Sequence, residues 1–197
     1  MFLSTPSHTE ASSAHFARDL ADDGYVGNLT RLWAWRPDVF DAFLNTRSLL
    51  TSKATLSLRE RAILVCATAA NVGDSYCALA WGTTLASEAD PTTAAEVLQR
   101  KEASALTARE RALAAWAAQV VRAPNAISVE DVNRFRGAGM TDEEIFNATV
   151  FVAFRLAFST VNDALGACPD GPLAQGAPAP VRDAVSYGRR ASDFAAE

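Results

Sequence analysis

Histidine is nearly absent from this chain: His8 and His15 are the only two in 197 residues, and both stand near the N-terminal end. Any imidazole acting as a base or metal ligand must come from that arm, so a histidine-built metal centre elsewhere is excluded. Cysteine is also scarce. Cys66, Cys77 and Cys168 are odd in number and fit neither a disulfide framework nor a zinc-site spacing, so they read as reduced thiols. No metal and no organic cofactor is expected.

An excess of basic residues is missing too. Eighteen Lys and Arg stand against twenty-three Asp and Glu, a net charge of -5, which leaves nothing to neutralise phosphates and argues against nucleic acid and anionic membrane surfaces as partners. No apolar run reaches the about 18 residues that suggest a membrane span, and the opening Met1 to Pro6 has no basic leader, so a cytoplasmic protein is expected. No Val/Ile/Thr-rich alternating run bounded by turns occurs, and no strand is expected. Small molecules and other copies of the chain remain as partners.

What is present is helix. With 49% hydrophobic residues the chain can bury one core. Residues 1–13 read as a flexible, Ser/Thr-rich arm, 14–167 as a helical domain and 168–197 as a Pro/Gly/Ala-rich arm. Short helices are expected from His15 to Asp22 and from Leu29 to Trp35, then a longer one over about 37 to 51 that begins at Pro37. Ser57-Leu58-Arg59-Glu60, Thr107-Ala108-Arg109-Glu110 and Thr141-Asp142-Glu143-Glu144 are three capping boxes, each announcing a helix. The first two belong to a repeat: Leu56 to Ala62 and Leu106 to Ala112 share a pattern fifty positions apart, which suggests two similar helical units packed together. Their Arg-Glu-Arg triplets read as solvated first-turn faces. The helix from Thr141 to Leu165 is apolar over more than one face, as in a bundle centre or a subunit interface. The prolines and glycines of 168–180 read as incompatible with helix, and a last short helix is expected over residues 181 to 195.

Asn71-Val72-Gly73-Asp74-Ser75-Tyr76-Cys77, following Leu56-Ser57-Leu58-Arg59-Glu60-Arg61 and an alanine-rich helix, resembles the core motif of the alkylhydroperoxidase D and carboxymuconolactone decarboxylase superfamily. Gly24 to Leu29 and Arg36-Pro37 resemble the N-terminal helices of its longer, peroxidase-related members. Leu106 to Arg111, Ala138 to Ile145 and Asp163 to Gly166 resemble their second half, so the likeness spans roughly residues 22 to 190. It implies an all-α bundle of the alkylhydroperoxidase D-like type with extra N-terminal helices, a C-terminal arm and assembly into a homo-oligomer. In redox-active relatives the motif is Cys-x-x-Cys-x-x-x-His with a glutamate twelve positions before the first cysteine. Here those four positions hold Asp74, Cys77, Trp81 and Ala62, so one cysteine survives of the set. On this reading an intramolecular disulfide is excluded, because Cys66 lies on another helix.

A free thiol with pKa about 8.5 is only a few per cent thiolate at neutral pH. A helix N-terminus favours ionisation of Cys77 by roughly 0.3 to 1 kcal/mol. A carboxylate at Asp74, one turn away at about 6 Å, opposes it by roughly 0.7 kcal/mol in water and several times more at an effective dielectric of about 20. Ala62 and Trp81 in place of two ionisable groups give an apolar wall suited to an apolar or aromatic ligand. Beside such a wall Asp74, or an N-cap in the bland reading, is a candidate acid/base. Tyr76 lies next to it. Arg155, inside Phe151 to Phe158, needs a carboxylate: Glu60, Asp163 or that of a substrate.

Three functions stay open. They are cofactor-free acid–base (lyase or isomerase-type) catalysis on a small molecule, hydroperoxide reduction through Cys77 alone, and a non-catalytic binding or assembly role. The candidate residues are Asp74 and Cys77 for catalysis, and Ala62, Tyr76, Trp81 and Arg155 for substrate contact.

Overall fold

The computed structural model describes residues 1–4, 6–52 and 56–192. Among these, helices follow one another without a strand: α1 (Glu10–Asp22), α2 (Asn28–Trp33), α3 (Pro37–Ser52), α4 (Leu58–Val72), α5 (Ser75–Glu88), α6 (Pro91–Leu98), α7 (Ala108–Arg122), α8 (Val129–Gly137), α9 (Asp142–Ala164), α10 (Gly171–Gly176) and α11 (Ala179–Ala184), with a single 3-10 turn at Pro124–Ala126. The all-α expectation holds.

Helix α4 is the axis of the bundle. Residues Ala62 to Ala70 are all buried, and the helix packs against α5, α6, α7 and α9 at once, which its apolar character on every face requires. The three expected capping boxes all form: Ser57 with Glu60, Thr107 with Glu110 and Thr141 with Glu144 each exchange side-chain and backbone hydrogen bonds. Two further boxes, Thr9 with Ser12 and Ser128 with Asp131, start α1 and α8.

The fifty-residue repeat has a tertiary meaning. Helices α4 and α7 pack together, and their first turns exchange ion pairs: Arg59 Nε donates to Glu110 Oε1 and Arg109 Nε to Glu60 Oε1, both at 2.6 Å. Arg109 also reaches Glu144 at the start of α9, at 2.7 Å. The triplets are therefore not solvated faces. Each glutamate already caps its own helix, so the arginine of the facing copy uses the oxygen capacity that the cap leaves over.

Two expectations at the ends of the chain are corrected. Helix α1 starts at Glu10, inside the segment read as a flexible arm, because Thr9 supplies a cap; His15 on it lies against Phe40 and pairs with Asp41 at 3.2 Å. The Pro/Gly/Ala stretch holds both α10 and α11. Pro172 and Pro180 fall in their first turns, where the missing N–H has no intrahelical acceptor to lose. The last helix ends at Ala184; residues 193–195 of the expected span lie outside the described residues.

Helix α9 is the one described helix long and apolar enough to cross a membrane by composition. Here its inner face packs on α4 and α7, and Arg155 sits buried in its middle.

Candidate functional site

Gly73 ends α4 in the left-handed region at φ +84, a conformation that costs a glycine little, and gives its N–H to Ala69 O. The chain turns directly into α5, which makes Asp74 the N-cap: Asp74 Oδ1 accepts the Cys77 N–H at 2.9 Å. Its other oxygen accepts the Ser159 hydroxyl of α9 at 2.5 Å. Asp74 is 0% exposed, with both oxygens engaged.

Cys77, one turn into α5, is 3% exposed. Arg155, one turn before Ser159 on α9 and 5% exposed, donates from Nη2 to Cys77 Sγ at 3.0 Å. Its guanidinium lies 5.6 Å from the Trp81 ring centre and 5.3 Å from that of Phe158, a sandwich that suits a planar, weakly hydrated cation. The carboxylate partner expected for it is not there. Glu60 is taken by Arg109 and by its own cap, no ion pair joins Arg155 to Asp163, and Arg155 Nε has no partner among the described residues. On α3, Arg47 has its guanidinium pKa lowered by burial, then by the charges of Arg155 and Arg18.

Burial pushes the Cys77 thiol up to about 12; the Arg155 charge pulls the other way and the Asp74 carboxylate adds to the rise. At rest the group is a thiol, in line with the opposition from Asp74 inferred for the sequence, although burial rather than Asp74 is the larger cause. Cys66 is also raised, by burial and then by Cys77. All three cysteines, Cys66, Cys77 and Cys168, are free thiols, and α4, which carries Cys66, packs on α5.

The other candidates separate. Trp81 stays at the site as the ring beneath Arg155. Ala62 is sealed in the core and lines no described cavity. Tyr76 points to a different place, its hydroxyl bonding Asp170, which also accepts the Asn28 N–H at 2.9 Å; the trio ties α5 to α2 and to the chain entering α10. Burial raises both Tyr76 and Asp170. None of the described cavities is lined by Asp74, Cys77 or Trp81; a cleft of about 320 Å³ opens beside them, at Gly73, Asp163, Gly188 and Arg189. The strand of chain after α11 closes over the start of α5 there, with Ser75 Oγ donating to Arg189 O at 2.7 Å.

Ser159 and Arg47 were not singled out in the sequence. Ser159 had a signal, since i and i+4 on one helix share a face with Arg155. Arg47 had none, because its place depends on how α3 lies on α9.

An all-helical bundle whose central helix leads through a left-handed glycine into a cysteine-bearing helix defines the fold class, and solved structures share it. The chain resembles an uncharacterised peroxidase-related protein with an alkylhydroperoxidase AhpD core from Ralstonia eutropha JMP134 at TM-score 0.78 and 26% identity, covering 87% of this chain and 93% of that one. A peroxidase-related protein from Silicibacter sp. TM1040 matches at 0.77 and 22%, covering 86% and 92%. The debrominase Bmp8 matches at 0.73 and 13%, covering 93% and 98%, and one of its structures holds 2,3,4-tribromopyrrole. No family model and no curated protein matches the sequence. The chain belongs to the alkylhydroperoxidase D-like superfamily.

Proposed function

We propose that this protein is a thiol-dependent enzyme that reduces a hydroperoxide-type electrophile with Cys77 as the reacting group and Arg155 as its charge stabiliser. One observation carries the reading. Arg155 is buried without a carboxylate contact among the described residues and aims Nη2 at Cys77 Sγ from 3.0 Å. A buried guanidinium costs several kcal/mol unless something anionic repays it, and the Cys77 thiolate and the departing alkoxide each do so during the reaction. The likeness to peroxidase-related proteins supports the same direction.

In the proposed step the Cys77 thiolate attacks the terminal, hydrogen-bearing oxygen of ROOH, the O–O bond breaks, and the departing alkoxide takes the proton the thiol gave up and leaves as ROH. Cys77 becomes a sulfenic acid. One external thiol converts it to a mixed disulfide with loss of water, and a second releases Cys77 and carries away the disulfide. The apolar surroundings of Trp81 and Phe158 favour an apolar or aromatic R group. The acid–base reading ranks lower, because both oxygens of Asp74 are already committed to the helix cap and to Ser159. A non-catalytic binding or assembly role is favoured by the burial of Cys77 and its raised pKa.

Consumption of cumene hydroperoxide in the presence of dithiothreitol distinguishes them. Wild type and Cys66→Ser are expected to turn over, and Cys77→Ser to be inactive. Equal rates in wild type and Cys77→Ser, or none in either, overturn the proposal. A Cys66–Cys77 disulfide seen by mass spectrometry after peroxide replaces the external thiol with Cys66.

The proposed assembly is a cytoplasmic homo-oligomer, a dimer or a trimer-based form, joined through the outer faces of α3 and α9. Leu49 is 70% exposed and Phe146 67%, with Val161 also exposed. Sedimentation at micromolar concentration is expected to show an oligomer that Phe146→Glu dissociates; a stable wild-type monomer contradicts this.

A further inference from the structure

Away from Cys77, a cleft of about 400 Å³ runs between α4, α7 and the loop joining α6 to α7. Its floor is apolar: Ala67, Val97, Ala103 and Leu106 are buried, and Ala114 and Ala118 of α7 complete it. Its rim is cationic. Arg100, Lys101, Arg111 and Arg122 all line it, against a single acid, Glu102.

None of those four cations has a carboxylate partner among the described residues. That sets them apart from Arg36, Arg59, Arg109, Arg134 and Arg136, each of which forms an ion pair. Two are held in place by backbone carbonyls instead. Arg100 gives Nη1–H to Ala70 O at 2.8 Å, from a backbone in the left-handed region at φ 59, and Arg111 gives Nη1–H to Leu106 O. Arg100 also lies over the Tyr187 ring, 5.9 Å from its centre, and among the described residues the other side-chain donors of both arginines have no hydrogen-bond partner. In a chain of net charge -5, four unpaired cations around one apolar cleft are a local reversal of the protein's own field.

We infer that this cleft binds a small amphipathic anion: an apolar body seated on the alanine floor, with a carboxylate or phosphate head held by the rim. The volume is that of a small-molecule site. Arginine forks match either head group. The floor is built of short side chains that leave room for an acyl chain or a single ring. No thiol lines this cleft, so the site is separate from the reaction proposed at Cys77 and stands or falls without it.

The test uses the full chain and four probes below their micellar concentrations: decanoate, decyl phosphate, decanol and inorganic phosphate. Calorimetry is expected to show one decanoate or decyl phosphate per chain, with decanol and inorganic phosphate weaker by about tenfold or more, each having half of the recognition. Raising the salt from about 0.05 to 0.5 M is expected to weaken the charged probes and not decanol. The triple variant Lys101→Gln, Arg111→Gln, Arg122→Gln is expected to lose the preference for the anionic head, and Ala118→Trp, which fills the floor, to lose binding while peroxide turnover by Cys77 is unchanged. Of the two anionic probes, the tighter names the head group. Decanol binding as well as decanoate, no binding by either anionic probe, or unchanged decanoate binding in the triple variant overturns the inference. So does a wild-type oligomer that Ala118→Trp dissociates, since a second copy of the chain then occupies the cleft.

Discussion

Arg155 Nη2 lies 3.0 Å from Cys77 Sγ, and no carboxylate among the described residues shares the guanidinium. The contact sets the reactivity of the thiol. Arg155→Met keeps an unbranched apolar stem but removes the guanidinium that lies over Trp81 and Phe158, and with it the charge that opposes the effect of burial on Cys77. Alkylation of Cys77 by iodoacetamide at about pH 8 is expected to slow by about tenfold, one pKa unit, while the fold is expected to be no less stable, because an apolar side chain replaces a buried charge. An unchanged alkylation rate argues that Arg155 only fills space.

Stability against alkali follows from the same thiol. Cys77 titrates near 9 when unfolded and is held up to about 12 in the fold. For an acid with a raised folded pKa, the folded state keeps its proton where the unfolded state loses it. Its contribution to stability is full below pH 9 and disappears progressively as the pH climbs from 9 towards 12. Cys77→Ala is expected to remove about one proton from the slope of unfolding free energy over that window, measured by urea titration at stepped pH.

Asp163 works over a different window. Burial, then the Asp74 carboxylate, raises it to about 6, with Arg189 opposing. Ionisation above its unfolded value of 3.8 therefore destabilises the fold, and the loss is complete once the pH passes 6. Asp163→Asn is expected to raise the melting temperature at pH 7 and to leave it unchanged at pH 3.5. The opposite order points to an unlocated cationic partner.

Gly188 holds the C-terminal segment down on the start of α5. Its φ is +71, and a Cβ there stands 2.5 Å from Gly73 O. Gly188→Ala is expected to cost about 1 to 3 kcal/mol and, because the segment has to lift from Ser75, to speed alkylation of Cys77. Slower alkylation in a destabilised variant is the result that contradicts a covering role.

The network at the start of the bundle offers a graded comparison. Arg109 joins Glu60 and Glu144 across three helix starts, all mostly buried, so Arg109→Leu strands two carboxylates and is expected to cost about 2 kcal/mol. Arg136 and Asp142 form an exposed pair, and Arg136→Leu is expected to leave the denaturation midpoint where it was.

Local features were legible in the sequence because their causes are local. A serine or threonine three residues before a glutamate caps a helix wherever it occurs, and Ser57, Thr107 and Thr141 all did so. Gly73 before Asp74 fixed the turn and the N-cap, and the motif around Cys77 pointed to the alkylhydroperoxidase D-like fold that the solved structures share. The helices α10 and α11 were misread because proline was judged by its presence rather than by its position in the first turn.

Tertiary structure alone decided who meets whom. The sequence required an anion for Arg155 and offered Glu60, which instead completes the exchange between α4 and α7. The Cys77 thiol stands against Arg155 instead, because the fold brings Asp74 and Cys77 at the start of α5 to Arg155 and Ser159 of α9, a relationship between residues about eighty positions apart that no periodicity encodes. The raised pKa of Cys77 has the same origin, since burial by other helices contributes more to it than the neighbouring carboxylate the sequence already displayed.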